Sequence, residues 1–286
     1  MLRNMKTWIN HARSLLAPVL SACLICGIKA SPSAELPEIC VSCEASIPWI
    51  RHPRCTICGR HVGCPDCSRS NEAGRVVCNR SAVAYTSVMR EMLGRYKYRG
   101  NERLAPLLGH MLDRAYAILK AERENEPGSY GSIHRFPAKL PFRNKSAMLW
   151  QADLLVPVPV SDSRLLERGF NQAERLADVL SRSRGVPQLP LLIRTHHTGK
   201  QSFKSRAERL TDMKHAFAAN PDPGAREKFS RLLNSLRPES QPLQIVIIDD
   251  IYTTGSTIRA CAETLSGISG TYGRETEIYS LTWARS

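Results

Sequence analysis

No apolar run in this 286-residue chain reaches the about 18–20 residues that a helix needs to cross a bilayer, which excludes a transmembrane helix. The G-x-x-x-x-G-K-[ST] pattern of a P-loop is missing, and no C-x-x-C pair sits in the βαβ context of a thioredoxin-like redox site. Beyond the C-x-x-C pairs there is no internal repeat. The start Met1-Leu2-Arg3 offers no N-terminal nucleophile, which argues against amide hydrolysis of that type. Acidic side chains are scarce beside basic ones, 26 against 40. The formal charge of +14 and the pI near 9.6 call for anionic partners: phosphorylated metabolites, nucleic acid or an anionic membrane surface. With 42% hydrophobic and 23% charged residues the chain is of ordinary globular composition, long enough for one large or two modest domains.

Cysteine is abundant and ordered. Eight of the ten cysteines form four C-x-x-C pairs, Cys23/Cys26, Cys40/Cys43, Cys55/Cys58 and Cys64/Cys67, leaving Cys78 and Cys261 alone. Two thiolates two residues apart can chelate one metal from a single turn, and two such turns complete a tetrahedron. Thirteen residues separate the first two pairs, a zinc-ribbon spacing, and five separate the second two, a tight knuckle. The pattern predicts one or two structural zinc ions, and which pair joins which stays open. Closed four-cysteine sites leave no position for water or substrate, so such zinc folds the module without catalysing. A secreted disulfide framework is the competing reading.

Residues 1–14 are basic without an acid, and Leu20-Ser21-Ala22-Cys23 imitates a lipoprotein box. Pro18 interrupts the apolar stretch, however, and lipidation would remove Cys23 from its pair. Trp8, Ile9, Leu15, Leu16 and Leu20 can line one face of a helix instead, so a helix over 1–22 and a cytoplasmic location are expected. A cysteine-rich module over 23–67 follows. A joining region over 68–121 is polar up to about Arg80 and has helical periodicity from 81. Residues 122–149, with Pro127, Gly128, Gly131 and Pro137, read as a mobile insertion. From 150 to 286 the pattern becomes that of an α/β domain. Leu154 to Val160 is a short strand ending in prolines, 171–183 is a helix, and Ile245-Val246-Ile247-Ile248 is a strand buried on both faces. A helix over about 256–266 and a strand over 277–283 complete a parallel sheet flanked by helices.

The stretch IVIIDDIYTTGSTI, 245–258, carries the chemistry. A hydrophobic strand delivers Asp249 and Asp250 at its C-terminal end, where open α/β sheets place ligands. Thr253, Thr254, Gly255, Ser256 and Thr257 then offer hydroxyls and backbone N–H groups at a helix N-terminus, a cradle for phosphate. Acids beside a phosphate cradle suit a sugar phosphate: carboxylates take the sugar hydroxyls and help to hold Mg²⁺, while the loop takes the phosphate.

This stretch resembles the 5-phosphoribosyl-1-pyrophosphate (PRPP) loop of type I phosphoribosyltransferases. More closely, the chain is similar to the ComF/GntX family of competence-type phosphoribosyltransferase-like proteins. VPVP and RLLERGFNQAERLA, within 156–177, are similar to that family's pyrophosphate-side strand and loop. RTHHTGKQSFKSRAERLTDMKHAF, 194–217, is similar to its basic flexible loop, matching at Arg194, Thr198, Gln201, Arg209 and Phe217. The cysteine pairs and YKYRG, 96–100, match its zinc module and linker. Lys204, Asp212 and Tyr252 depart from the pattern, Tyr252 standing where a small aliphatic residue is expected.

The resemblance implies PRPP with Mg²⁺ as ligand. It places Asp249 and Asp250 at the ribose, Arg168 and Arg164 at the leaving pyrophosphate, and Asn171 and Gln172 as further polar contacts. Guanidinium groups suit that bidentate charge. His196 and His197 read as solvated residues of a basic loop. Two functions follow. The first is transfer of phosphoribosyl to an unidentified nucleophile, for which no general base is evident. The second is a non-catalytic module of a DNA-uptake apparatus that binds PRPP or single-stranded DNA, with Arg95-Tyr96-Lys97-Tyr98-Arg99 as a separate basic, aromatic face.

Overall fold

Strand pairing around the apolar run at 245–248 explains its composition. In the computed structural model, which describes residues 21–65, 67, 75–98, 101–125, 149–195, 216–236 and 241–286, this run lies in a strand flanked by strands on both sides. In chain order the elements are β1 (Ser21–Ala22), β2 (Lys29–Ala30), α1 (Val41–Ala45), β3 (Val76–Ala84), α2 (Ser87–Tyr98) and α3 (Ala105–Asn125). Then come β4 (Leu154–Pro157), α4 (Asp162–Arg168), α5 (Gln172–Arg184), β5 (Leu192–Arg194) and β6 (Phe217–Ala219). The chain ends with α6 (Pro223–Ser235), β7 (Leu243–Tyr252), α7 (Ser256–Gly270) and β8 (Thr276–Arg285).

The main sheet has four parallel strands in the order β3-β8-β7-β4, with β7 and β8 central, and helices pack against it. The α/β architecture with a cysteine-rich N-terminal region is the one read from the sequence. Register places Ile245 beside Ile278 on one side and Leu154 on the other. Successive side chains alternate across the sheet. Leu243, Ile245 and Ile247 share a buried cluster with Ile258, Cys261, Ala262 and Leu265 of α7. On the opposite face the Tyr279 ring meets Trp150 edge-on at 5.4 Å, and Trp283 Nε1 donates to Met111 Sδ of α3 at 3.5 Å. Strands buried on both faces need continuous apolar sequence, and β7 has it over 245–248.

β3 corrects the reading of 81–121 as helical throughout, because 76–84 is a strand and α2 begins only at Ser87. Its centre, Asn79-Arg80-Ser81, is polar yet buried, with exposures of 1%, 3% and 2%. Each side chain finds a partner. Asn79 Nδ2 donates to Cys58 O and Ser81 Oγ, Arg80 Nη1 donates to Thr56 O and pairs with Glu122, and Ser81 Oγ bonds Thr282 Oγ1. Burial without apolarity removes the pattern that marks a strand.

The chain divides into two units, 1–47 and 48–286, and the cysteine-rich stretch 23–67 spans their boundary. In the first unit β1 pairs antiparallel with β2, so Ser21–Ala22 is a strand and not the end of a helix. Residues 1–20, where the helix and the lipoprotein-box question fall, lie outside the described residues, as does 126–148 of the expected insertion. Residues 122–125 of that stretch belong to α3. Among the described residues no helix is long and apolar enough to cross a membrane.

Candidate functional site

Parallel strands bring all their C-terminal ends to one edge, and β4 and β7 are neighbours there. β7 runs on through Asp249-Asp250-Ile251-Tyr252 into Thr253-Thr254-Gly255, and α7 starts at Ser256. Thr254 Oγ1 lies 3.1 Å from Ser256 Oγ, and Arg259 Nη2 donates to Thr254 O at 3.2 Å, so the turn is braced from within. Gly255 sits at the helix N-cap with φ +77°, and a Cβ there would stand 2.1 Å from the Tyr252 hydroxyl. Backbone conformation and space both require glycine. A side chain at 255 would strike Tyr252 before it reached any phosphate.

Asp250 is buried and its Oδ1 lies 2.7 Å from Lys97 Nζ of α2. Asp249 Oδ1 accepts from the Asp250 amide at 2.8 Å. Burial first, and then the Asp250 charge, push the Asp249 carboxyl up to about 7, against the pull of Lys97, the Asp250 amide and Arg194. Burial and the neighbouring Arg164 lower the pKa of Arg194, which stands at the end of β5 with its guanidinium over the Phe217 ring at 5.4 Å. Arg164 and Arg194 therefore belong with Asp249 in one electrostatic neighbourhood.

Within RGFNQ, Asn171 and Gln172 are engaged in hydrogen bonds of the protein itself. Asn171 caps α5, its Oδ1 accepting from Ala173 N at 3.0 Å while its Nδ2 donates to Val158 O at 3.1 Å. Gln172, 1% exposed, accepts from Arg168 Nη1 at 2.9 Å. These two side chains hold the segment in shape. Arg168 is itself buried, its guanidinium over the Tyr98 ring at 5.3 Å, and its Nε has no hydrogen-bond partner among the described residues.

The end of α2 joins these parts, and sequence reasoning missed that role. Tyr96 packs against Phe170 in a tilted contact with ring centres 5.2 Å apart and donates to Gln172 O at 3.0 Å, Lys97 pairs with Asp250, and Tyr98 covers Arg168. YKYRG gave the signal only as a family likeness. Tyr96 is fully buried and cannot stack on a base, and Lys97 pairs with Asp250, so these two residues do not form a face apart from the site. Thr198, Gln201 and Arg209, with His196, His197, Lys204 and Asp212, lie outside the described residues, as does Arg99.

The cysteines form two groups, Cys23/Cys26/Cys40/Cys43 and Cys55/Cys58/Cys64/Cys67, the sulfurs of each lying within 4.8 Å of one another. Zn–S bonds near 2.3 Å in a tetrahedron space sulfurs about 3.8 Å apart. Cys26 and Cys40 stand at 4.0 Å and Cys58 and Cys64 at 3.5 Å, which fits zinc and is far too long for a disulfide. All eight are free thiols. In each knuckle a backbone N–H points at a sulfur, Cys43 N to Cys40 Sγ and Cys58 N to Cys55 Sγ, both at 3.4 Å. Two four-cysteine sites of zinc-binding geometry are therefore present, which resolves the pairing.

The chain is 28% identical to competence protein ComFC of Bacillus subtilis (strain 168) over 257 residues, 87% of this chain and 85% of that protein. It is 25% identical to competence protein ComFC of Streptococcus pneumoniae over 224 residues, 77% of each. With DNA utilization protein YhgH of Escherichia coli (strain K12) it shares 24% identity over 248 residues, 80% of this chain and 91% of that protein. No family model matches the chain. The named relatives bear out the resemblance to the ComF/GntX family.

Proposed function

We propose, on the premise that this chain is a ComF-family protein, that it binds PRPP with Mg²⁺ at the β7–α7 edge and transfers phosphoribosyl to a nucleophile in DNA uptake or utilization. The observation that carries the reading is the run of Asp249, Asp250 and an N-cap glycine at φ +77° on one strand end, with Lys97 of α2 paired to Asp250 and its neighbour Tyr98 lying against Arg168. The competence and DNA utilization names of the relatives support the setting.

In this reading the N–H groups and hydroxyls of 253–257 hold the 5′-phosphate, and the acid pair orients the ribose hydroxyls. Mg²⁺, when bound, supplies charge neutralisation on the pyrophosphate. Positive charge develops on the ribose as the C1–O bond breaks, and in this reading the carboxylates offset it. Arg168, clamped by Gln172 and Tyr98, keeps its orientation for the leaving group, and Lys97 is an ammonium that a ligand can draw from Asp250. No acceptor and no general base are assigned.

Calorimetry with PRPP and Mg²⁺ tests this. Asp250→Asn should weaken binding by about tenfold or more, the loss of a charge-assisted contact. Unchanged affinity would overturn the assignment. Gly255→Val is not a usable probe, because it collides with Tyr252. The exposed Tyr98 ring and the +14 charge favour a second reading, a non-catalytic module for PRPP or single-stranded DNA. Pyrophosphate release across candidate acceptors separates the two.

A further inference from the structure

We propose that Arg285 and Tyr252 couple metal occupancy of the Cys55/Cys58/Cys64/Cys67 site to the order of the ligand loop at 253–257. Arg285, 3% exposed at the end of β8, donates from Nε to Cys58 O at 3.1 Å and from Nη2 to Cys58 Sγ at 3.3 Å. The same guanidinium donates from Nη1 to Tyr252 O at 3.1 Å and lies 4.9 Å from the centre of the Tyr252 ring. Tyr252 accepts a further bond from Ser286 N at 3.1 Å and fills the space beside Gly255. One buried cation thus touches a metal-ligand sulfur on one side and the residue that opens the loop on the other.

The charge balance makes the contact conditional. Four thiolates around a divalent ion carry two net negative charges, and a buried guanidinium against one of the sulfurs offsets part of that. Without the metal complex Arg285 loses the anionic partner at Cys58 Sγ and is left with the carbonyl oxygens of Cys58, Tyr252 and Ser286. Its hold on Tyr252 then weakens, and with it the template for Gly255. Arg285 and Tyr252 are positioning residues here. The coupling does not depend on which ligand the loop takes, so it can fail while the PRPP reading stands, and the reverse.

Hydrogen exchange of the full zinc-loaded chain, read by mass spectrometry without ligand, tests it. In Arg285→Gln, exchange of peptides covering 252–258 should rise about tenfold while α3 peptides stay unchanged. Arg285→Lys keeps a cation for the sulfur but cannot bridge both partners, so it should hold zinc better than Arg285→Gln without restoring loop protection. Wild-type protection at 252–258 in Arg285→Gln would overturn the proposal, and so would equal zinc retention and equal loop exchange in the two variants. Metal extraction from the wild type by a chelator, followed with a colorimetric zinc indicator, gives the other arm. Loss of the zinc held by the second site should release 252–258, which Cys26→Ser, lacking only the first site, should not do. Equal loosening in both would mean a general loss of stability and would also overturn it.

Discussion

The Asp249 carboxyl, partly buried with Asp250 beside it, is held at about 7, against an ordinary 3.8. A raised acid binds its proton more tightly in the folded chain than in the unfolded one. The associated stability is full below pH 3.8 and is lost as pH rises towards 7. Asp249→Asn keeps an acceptor for the Asp250 amide and removes the charge. Urea melts should show it about 1–2 kcal/mol more stable than wild type at pH 8, with the gap closing by about pH 4. Parallel pH profiles for the two proteins would refute this. The cost is consistent with a site built for a cation-bearing ligand, which relieves the repulsion when it binds. At this scale the acid pair and the cysteines were legible because each signal is local in sequence. Lys97 was not, because its partner lies 153 residues away and a lysine in a basic segment looks like any other.

Among the elements, β7 and α7 could be read directly, since a strand buried on both faces followed by a Thr/Gly/Ser turn has few alternatives. β3 could not, because its buried centre is polar and its hydrogen bonds reach other elements. Asn79 illustrates the point: its amide donates to Cys58 O at 3.2 Å and its carbonyl oxygen accepts from Ser280 Oγ at 2.9 Å. Its backbone N donates to Ile57 O at 2.7 Å, and the knuckle approaches so closely that a Cβ on Gly59, φ +69°, would meet Asn79 O at 2.5 Å. β3 is therefore the surface on which the second cysteine site is mounted. Asn79→Leu matches the volume but removes the acceptor of Ser280 Oγ and one of the two side-chain donors to Cys58 O, leaving only Arg285 Nε there. A destabilisation of about 2–4 kcal/mol in denaturant melts is expected, with accelerated zinc release. A loss below about 0.5 kcal/mol with normal zinc retention would contradict this role.

At the level of the whole molecule the two cysteine sites belong to different units and should fail differently. Elemental analysis should find two zinc ions per chain. Cys40→Ser should lose one and leave the main unfolding transition in place, whereas Cys58→Ser should lower that transition, since Cys58 lies within the buried cluster shared by β7 and α7. Equal effects on the melt would contradict the division. The net charge of +14 raises the second question, where nucleic acid would bind. The sequence suggested a separate face at 95–99, but Lys97 and Tyr98 border the acid pair and Arg168. Single-stranded DNA should therefore bind with affinity falling as roughly the 0.7 power of salt per phosphate contact, and PRPP with Mg²⁺ should displace it. Tyr98→Ala, which removes an exposed ring and leaves the Lys97–Asp250 pair in place, should weaken DNA binding through loss of stacking, by about 1–3 kcal/mol. Fluorescence anisotropy of a labelled oligonucleotide, titrated with salt and then with PRPP and Mg²⁺, measures both. DNA binding indifferent to saturating PRPP would place the nucleic acid elsewhere on the basic surface. An absence of binding even at low salt would remove DNA as a direct ligand and leave the transferase reading to account for the edge alone.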